Sequence, residues 1–292
     1  IYVTLEPCTH FGKTPPCTNI IIKKGIKKVF YSINDYDIIT SNKAKIILKQ
    51  KKIYYNNGLL KKNLKNFYKF YYKNKIKKLP YVTAKLAISK DYYIKNSKNK
   101  YITNFYSRRV SNFYRSINNG ILISVKTLID DNPILNCRIN GLQKFSPVKI
   151  ILDKNLSIPM KSNIVKYAKK QKVIIFHNSL NSKKITMLKK VKIKPIYLKL
   201  DKNNNFNLEN ILKILYKKNI SRLLIEGGKS LTQSLLAKSL IDEFYLFKSN
   251  IDLKSNGKIN VGNLVKLIKK VSKTSRIINT NLQGDRLINY RF

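Results

Sequence analysis

The chain has 292 residues, with 60 Lys+Arg against 14 Asp+Glu, a formal net charge of +46 and 43% hydrophobic residues. That length suits one large or two ordinary domains, and the apolar content is enough to bury a core, which excludes wholesale disorder despite the charge. No run of about 18 apolar residues occurs, which excludes a membrane-spanning helix. With no secretory signal pattern and only three cysteines, Cys8, Cys17 and Cys137, the expected location is a reducing cytoplasm.

In chain order, Tyr2–Leu5 reads as a strand. It runs into Leu5-Glu6-Pro7-Cys8-Thr9-His10-Phe11-Gly12-Lys13-Thr14-Pro15-Pro16-Cys17, which holds two of the three cysteines and one of the two histidines. Residues 19–24 read as a helical turn and Val29–Ile33 as a strand. The stretch from Lys49 to Lys78 reads as a strand, a basic helix and a connector ending near Pro80. A domain boundary is expected near residues 76–80, giving domains 1–78 and 79–292.

The second part alternates short β-rich runs with helical patterns. Strands are expected at Tyr81–Ile88, Gly120–Val125, Val148–Leu152, Val173–Phe176 and Arg222–Ile225, then at Phe244–Phe247, Thr274–Asn279 and Arg286–Phe292. After residue 240 there is no room for a helix between every pair of strands. The expected class is therefore α/β with a mixed sheet and an antiparallel element at its end.

The obvious meaning of +46 is a nucleic-acid binder. Yet only eight of the basic residues are arginine, and the lysines are spread along the whole chain beside abundant Asn, Ile and Tyr. Those four residue types share A/T-rich codons, so genomic drift explains the profile without a nucleic-acid partner. Against that background, clusters of Gly, Pro, Arg, Cys and His carry information.

Cys8 and Cys17, on a loop leading to a helix, suit half of a zinc site, or two packed or free thiols. A catalytic zinc needs a third protein ligand and a carboxylate to move protons. Glu226-Gly227-Gly228-Lys229-Ser230 reads as a strand, a tight turn and a helix start, where backbone N–H groups meet a phosphate. A plain turn is the alternative. Arg115 and Arg138 persist where lysine dominates, and a guanidinium forks onto phosphate oxygens as an ammonium cannot. Surface ion pairs are the alternative, although few acids are available to pair with them.

The segment from Tyr2 to Cys17 resembles the bifunctional riboflavin-biosynthesis deaminase–reductase family. The resemblance continues through Pro80–Asp91, Tyr101-Ile102-Thr103, Arg115…Gly120-Ile121-Leu122, Thr127–Arg138, Ile151-Leu152-Asp153, Glu226–Leu231 and Leu240–Glu243, in the family's order. It implies the C-terminal part of a cytidine-deaminase-like α/β/α domain followed by a dihydrofolate-reductase-like α/β domain. It implies Cys8 and Cys17 as zinc ligands, with Lys13 and His10 near a phosphorylated pyrimidine. The family's His-x-Glu segment lies before Ile1, so the sequence is expected to be N-terminally truncated and, as written, unable to deaminate.

For the reductase half the resemblance implies NADPH contacts at Ala87, Tyr101, Thr127, Asp131 and Lys154, and at the loop Gly228, Lys229, Ser230, Leu231, Thr232, Gln233 and Ser234. It implies substrate contacts at Asn99, Arg115, Leu135, Arg138 and Glu226. Asn99, Lys154, Tyr92 and Tyr101 depart from the usual residues. Lys85, on the first reductase strand, is expected either to orient or protonate the sugar or simply to face solvent. The expected reaction is reduction of the ribosyl side chain of a phosphoribosylaminouracil by a homo-oligomer. Rivals are another NADPH reductase of this fold acting on a pterin, a nucleic-acid binder built from a decayed enzyme, and a deaminase partner subunit whose missing ligands come from another chain.

Overall fold

The computed structural model describes residues 1–99 and 101–292. It divides into two compact units, Ile1–Leu79 and Pro80–Phe292. Among the described residues no helix is long and apolar enough to cross a membrane.

In the first unit, β1 (Tyr2–Leu5), β2 (Lys28–Ile33) and β3 (Tyr54–Asn57) form a parallel sheet in that order. Parallel neighbours need crossovers, and α1 (Cys17–Lys23) and α2 (Ala44–Gln50) make them. Two short helices follow, α3 (Lys61–Phe67) and α4 (Lys69–Tyr72). The helix read at 19–24 begins two residues earlier, directly after Pro16, which has no N–H to leave unpaired. Ile21, Val29, Tyr31, Ala44, Leu48 and Ile53 form the core. Glu6 is buried beside it, and its carboxylate accepts the N–H groups of Asp35, Asn42 and Ala44 at 3.1, 2.9 and 3.0 Å. That carboxylate ties the end of β1 to the loop after β2.

The second unit runs β4 (Tyr81–Ile88), β5 (Tyr93–Asn96), α5 (Phe105–Ser116), β6 (Gly120–Ser124), α6 (Val125–Asp131), β7 (Val148–Leu152) and α7 (Asn163–Lys166). It continues with β8 (Val173–His177), α8 (Ser182–Lys190), β9 (Ile193–Tyr197), α9 (Leu208–Lys217), β10 (Arg222–Ile225), α10 (Lys229–Ala237) and β11 (Glu243–Lys248). It closes with β12 (Gly257–Asn260), α11 (Gly262–Val271), β13 (Thr274–Ile277) and β14 (Arg286–Arg291).

Nine of these strands make one mixed sheet in the order β13-β14-β11-β4-β10-β6-β7-β8-β9. The seven from β11 to β9 are parallel, and β14 joins β11 antiparallel. The mixed sheet with a late antiparallel element is the class read from the sequence. Strands in the middle of such a sheet are covered on both faces. Accordingly β6, β7 and β10 are mostly apolar, and Ile121, Ile123, Ile151, Ile175 and Leu224 share one core cluster.

Three strands escaped the sequence. β9 (Ile-Lys-Pro-Ile-Tyr) carries Pro195, which removes a ladder donor and is tolerated because β9 is an edge. β5 and β12 pair only with each other, and both are polar. Helix α9 shows why the helical patterns worked: Leu208, Ile211, Leu212 and Leu215 line its buried face, while Glu209 and Lys213 pair at 2.7 Å on the exposed one.

Candidate active site

In an open parallel sheet the strands' carboxyl ends share one edge, and ligands gather there. Here β4 ends at Ile88, β10 at Ile225, β6 at Ser124 and β7 at Leu152. The expected functional segments follow those ends. Glu226 continues β10, its N–H bonded to the Leu122 carbonyl at 3.2 Å. The register sets Ile225 opposite Ala84, so Glu226 comes beside Lys85; on the other side of Lys85 stands Tyr245 of β11.

Arg115, in the last turn of α5, closes onto Glu226 with both prongs. Its Nε donates to Oε1 and its Nη2 to Oε2, each at 2.8 Å, with both side chains largely buried. Nη1 donates to the Asn136 carbonyl at 3.1 Å. Burial by itself pushes the Glu226 carboxyl up. The Arg115 charge and hydrogen bonds, with Lys85 and Arg138 beyond them, outweigh it and hold the carboxyl at about 2. Burial pulls the Arg115 guanidinium down, but Glu226 more than offsets this. Arg115 thus has an acid partner in Glu226, and three of its five N–H donors are engaged within the protein.

Lys85 does not face solvent. Its ammonium lies 5.6 Å from the centroid of the Phe247 ring. Burial lowers its pKa, with Glu226 pulling back upward and Arg115 adding to the fall. Tyr114 of α5 stacks on Tyr245 at 4.3 Å between centroids, walling this face. Burial pushes the Tyr245 phenol up to about 12, so it stays protonated near neutral pH.

A cleft of about 440 Å³ opens beside this cluster, lined by Tyr101, Phe105, Arg108, Arg109, Asn112 and Arg138 among others. Arg138 is exposed there, and its N–H is held by Asn112 Oδ1 at 3.2 Å. Asn99 and Tyr101 line a second cleft with Asn104 and Asp285. Leu135 is buried in the apolar core, with φ +59° in the left-handed region.

The glycine turn leads into α10 as expected. A Cβ on Gly227 would meet Leu231 Cδ2 at 2.8 Å, whereas nothing lies near one on Gly228. Gly228 is the N-cap, and no side chain caps the helix, so the first N–H groups of α10 (Lys229, Ser230, Leu231) remain for an anion. Thr232 is buried, Gln233 half-buried and Ser234 exposed. Lys229 Nζ donates to the Asn260 carbonyl at 3.3 Å. These residues fit the phosphates of a nucleotide cofactor. Ala87 is half-buried on β4, opposite Phe247. Thr127 lies in the first turn of α6, its N–H held by the N-cap Ser124 Oγ at 3.3 Å. Asp131 is 3.9 Å from Lys95 Nζ, and Lys154 Nζ donates to the Asn204 carbonyl at 3.1 Å, so both have protein partners.

In the first unit, the Cys17 N–H donates to Cys8 Sγ at 3.2 Å, and the side-chain contact with Cys8, with burial, raises the Cys17 thiol's pKa. His10 Nδ1 is 3.2 Å from Thr40 Oγ1, and Lys13 is exposed. Among the described residues no three His, Cys, Asp or Glu side chains group as metal ligands. The donor set present does not fit a catalytic zinc.

Three residues near the cluster were not anticipated. Lys149 is 1% exposed on β7 and Asn136 Oδ1 is buried without a hydrogen-bond partner. Burial, with Arg115 adding to it, lowers Lys149 to about 8. A lysine inside the apolar run Val148-Lys149-Ile150-Ile151-Leu152 was the available signal. The third is Arg109, whose adjacent partner Arg108 makes a double arginine in a lysine-rich chain.

An open α/β sheet with a buried charged cluster and an uncapped helix N-terminus after a glycine turn at one strand edge defines an α/β domain of the kind that carries its ligand site at the strands' carboxyl ends. The RibD C-terminal domain model matches residues 80–251, and the chain belongs to that family. It is 32% identical over 249 residues to the riboflavin biosynthesis protein RibD of Bacillus amyloliquefaciens, covering 85% of this chain and 66% of the relative. With RibD of Aquifex aeolicus the identity is 31%, covering 85% and 68%. The chain thus spans about two thirds of the length of the curated relatives it matches. Among solved structures, a Thermotoga maritima diaminohydroxyphosphoribosylaminopyrimidine deaminase/5-amino-6-(5-phosphoribosylamino)uracil reductase superposes with TM-score 0.77 and 27% identity, covering 99% of this chain and 78% of that one. Acinetobacter baumannii RibD shares the fold, with TM-score 0.80, 23% identity and coverage of 99% and 80%.

Proposed function

We propose that this chain is an NADPH-dependent reductase of riboflavin biosynthesis, converting the ribosyl side chain of 5-amino-6-(5-phosphoribosylamino)uracil to its ribityl form. The observation that carries the proposal is the buried Arg115–Glu226 pair beside Lys85, at the strand edge of a domain matched by the RibD C-terminal model. NADPH, when bound, supplies a hydride to C1 of the open-chain sugar.

The chain's own residues bind, orient and move a proton. The uncapped N-terminus of α10 and Lys229 hold phosphate oxygens. Thr127, Ala87 and Tyr101 line the approach to the same edge. Glu226 stays ionised and, locked by Arg115, presents its remaining lone pairs to sugar hydroxyls without reorganising. Lys85 is the cation placed to deliver the proton that accompanies the hydride, and its lowered pKa eases that release. Arg138, exposed at the cleft, is available to the substrate.

Three free cysteines support a reducing, cytoplasmic setting. Deamination is not assigned to these residues, since two thiols are not a catalytic zinc site. The test is direct: the purified chain is mixed with NADPH and 5-amino-6-(5-phosphoribosylamino)uracil. Loss of NADPH absorbance with formation of the ribityl product is the expected result, and absence of both overturns the proposal.

A further inference from the structure

The ribbon of β5 and β12 pairs with no strand of the large sheet. β5 is half-buried and β12 largely exposed, so little burial holds the ribbon down. Within itself it is well fixed. Gly257 packs so closely against the Tyr93 ring that no Cβ would fit, and the Ser97 N–H donates to the Asn256 carbonyl at 2.9 Å. Its base is fixed too. The Asp91 carboxylate accepts the N–H groups of Leu253 and Lys254 at 3.1 and 2.8 Å, and the Val261 N–H donates to the Tyr92 carbonyl at 2.9 Å. Two lysines fasten the rest of the ribbon to the domain. On one side Lys95 Nζ of β5 is 2.6 Å from Asp130 Oδ2 and 3.9 Å from Asp131 Oδ1, in the last turn of α6. On the other, Lys229 Nζ at the start of α10 donates to the Asn260 carbonyl at the end of β12. α6 and α10 follow β6 and β10, which are paired neighbours in the sheet. An element fastened to both helices spans the groove between them, the groove flanked by Thr127 and by residues 228–234.

We infer that the β5–β12 ribbon is a strap across this groove, latched by Lys95 on Asp130, and that the two are positioning residues setting how long a bound dinucleotide stays. The identity of that dinucleotide, NADPH, rests on the reductase proposal; the latch does not. Lys258 stands directly opposite Lys95 in the ribbon, and like charges so placed repel, which Asp130 offsets. Lys95 and Asp130 are each about one third exposed, at 35% and 34%, so their pair is weak enough to open and close. The Lys229 tie is weaker still, a 3.3 Å bond to a neutral carbonyl. A phosphate at the start of α10 offers Lys229 a charge-assisted bond in its place. Once the dinucleotide is seated, Lys95 on Asp130 is the fastening that remains between the strap and these two helices.

The test reverses the charges of the latch. Asp130→Lys sets two cations against each other, while a lysine in the last turn of a helix suits its dipole, so α6 should keep its fold. The double variant Lys95→Glu with Asp130→Lys restores an opposite pair. Hydrogen exchange followed by mass spectrometry, without cofactor, is the first readout. Amides at 93–97 and 257–260 should exchange about fivefold faster in Asp130→Lys, the scale of one partly exposed ion pair, and return toward the wild-type rate in the double variant. Amides of β6 and β7 should be unchanged, which also establishes that the variants fold. Stopped-flow release of NADPH is the second readout. Its dissociation rate should rise by a similar factor in Asp130→Lys and fall back in the double variant, a rescue that a merely structural role for either side chain would not give. Equal ribbon exchange in wild type and Asp130→Lys overturns the latch. Faster exchange with an unchanged NADPH release rate overturns the strap's hold on the cofactor. A wild-type chain that binds no NADPH, with ribbon exchange that still follows the charge reversal and its rescue, sustains the latch and overturns the reductase reading.

Discussion

Glu226 is a residue whose ionisation is worth more to the fold than its exposure would suggest. Its folded pKa is about 2, below the ordinary 4.5. The stability it contributes is present above pH 4.5 and lost as pH falls through about 2. Glu226→Gln should remove that acid limb and leave Arg115 buried without its counter-ion, costing about 3–5 kcal/mol and abolishing reduction. Urea denaturation of both proteins between pH 2 and 7 checks it, and an unchanged acid limb would count against the pair. Lys149 works the other way. Its folded pKa is about 8, below the ordinary 10.5, so wild-type stability should rise between those values as the unfolded chain gives up its proton later. Lys149→Met should be more stable at pH 7, by up to about 3 kcal/mol, with the difference shrinking toward pH 10.5. The tyrosines with raised pKa values affect both proteins alike and cancel in that comparison. A variant less stable at pH 7 would show that Lys149 has a partner that pays its desolvation.

At the scale of elements, the turn between β10 and α10 depends on Gly227. A methyl there would sit 2.8 Å from Leu231 Cδ2 and 3.2 Å from two further Leu231 atoms. Leu231 is buried, so the contact has little room to relax. Gly227→Ala should cost about 1–3 kcal/mol and tilt the N-terminus of α10. NADPH binding should weaken several-fold, measured by fluorescence titration, while Gly228→Ala, which meets open space, should be milder. Equal effects at the two positions would refute the packing argument. The glycine pair was visible in the sequence, but which glycine is sterically required was not. That distinction is a contact between a turn and the first turn of its own helix. Pro195 shows the reverse case: it lowered the strand signal of β9, and only the edge position explains why it is tolerated.

For the whole molecule, the net charge is +46, and both ligands of the proposed reaction carry phosphates. Exposed lysines act at long range and are screened by salt. kcat/KM should therefore fall several-fold as ionic strength rises from about 0.01 to about 0.15 M, over which the Debye length shrinks from ~30 to ~8 Å. kcat should change little. A flat kcat/KM would remove steering as a role for the charge.

The sequence by itself determined the α/β class, the antiparallel end of the sheet, the glycine turn and the residue types of the site. Those are local: apolar periodicity, a Gly-Gly after a strand, and arginine kept where lysine prevails are each written in a few consecutive positions. Tertiary structure decided the pairings. Arg115 and Glu226 are 111 residues apart, and nothing in either neighbourhood announces the other. Lys85 looked as ready for solvent as for a site until β10 and β11 closed on both sides of β4. Arg109 and Arg138 came to share a cleft only when α5 met the loop at Arg138. Which charge neutralises which depends on strand order, and strand order is set by burying the whole apolar set at once.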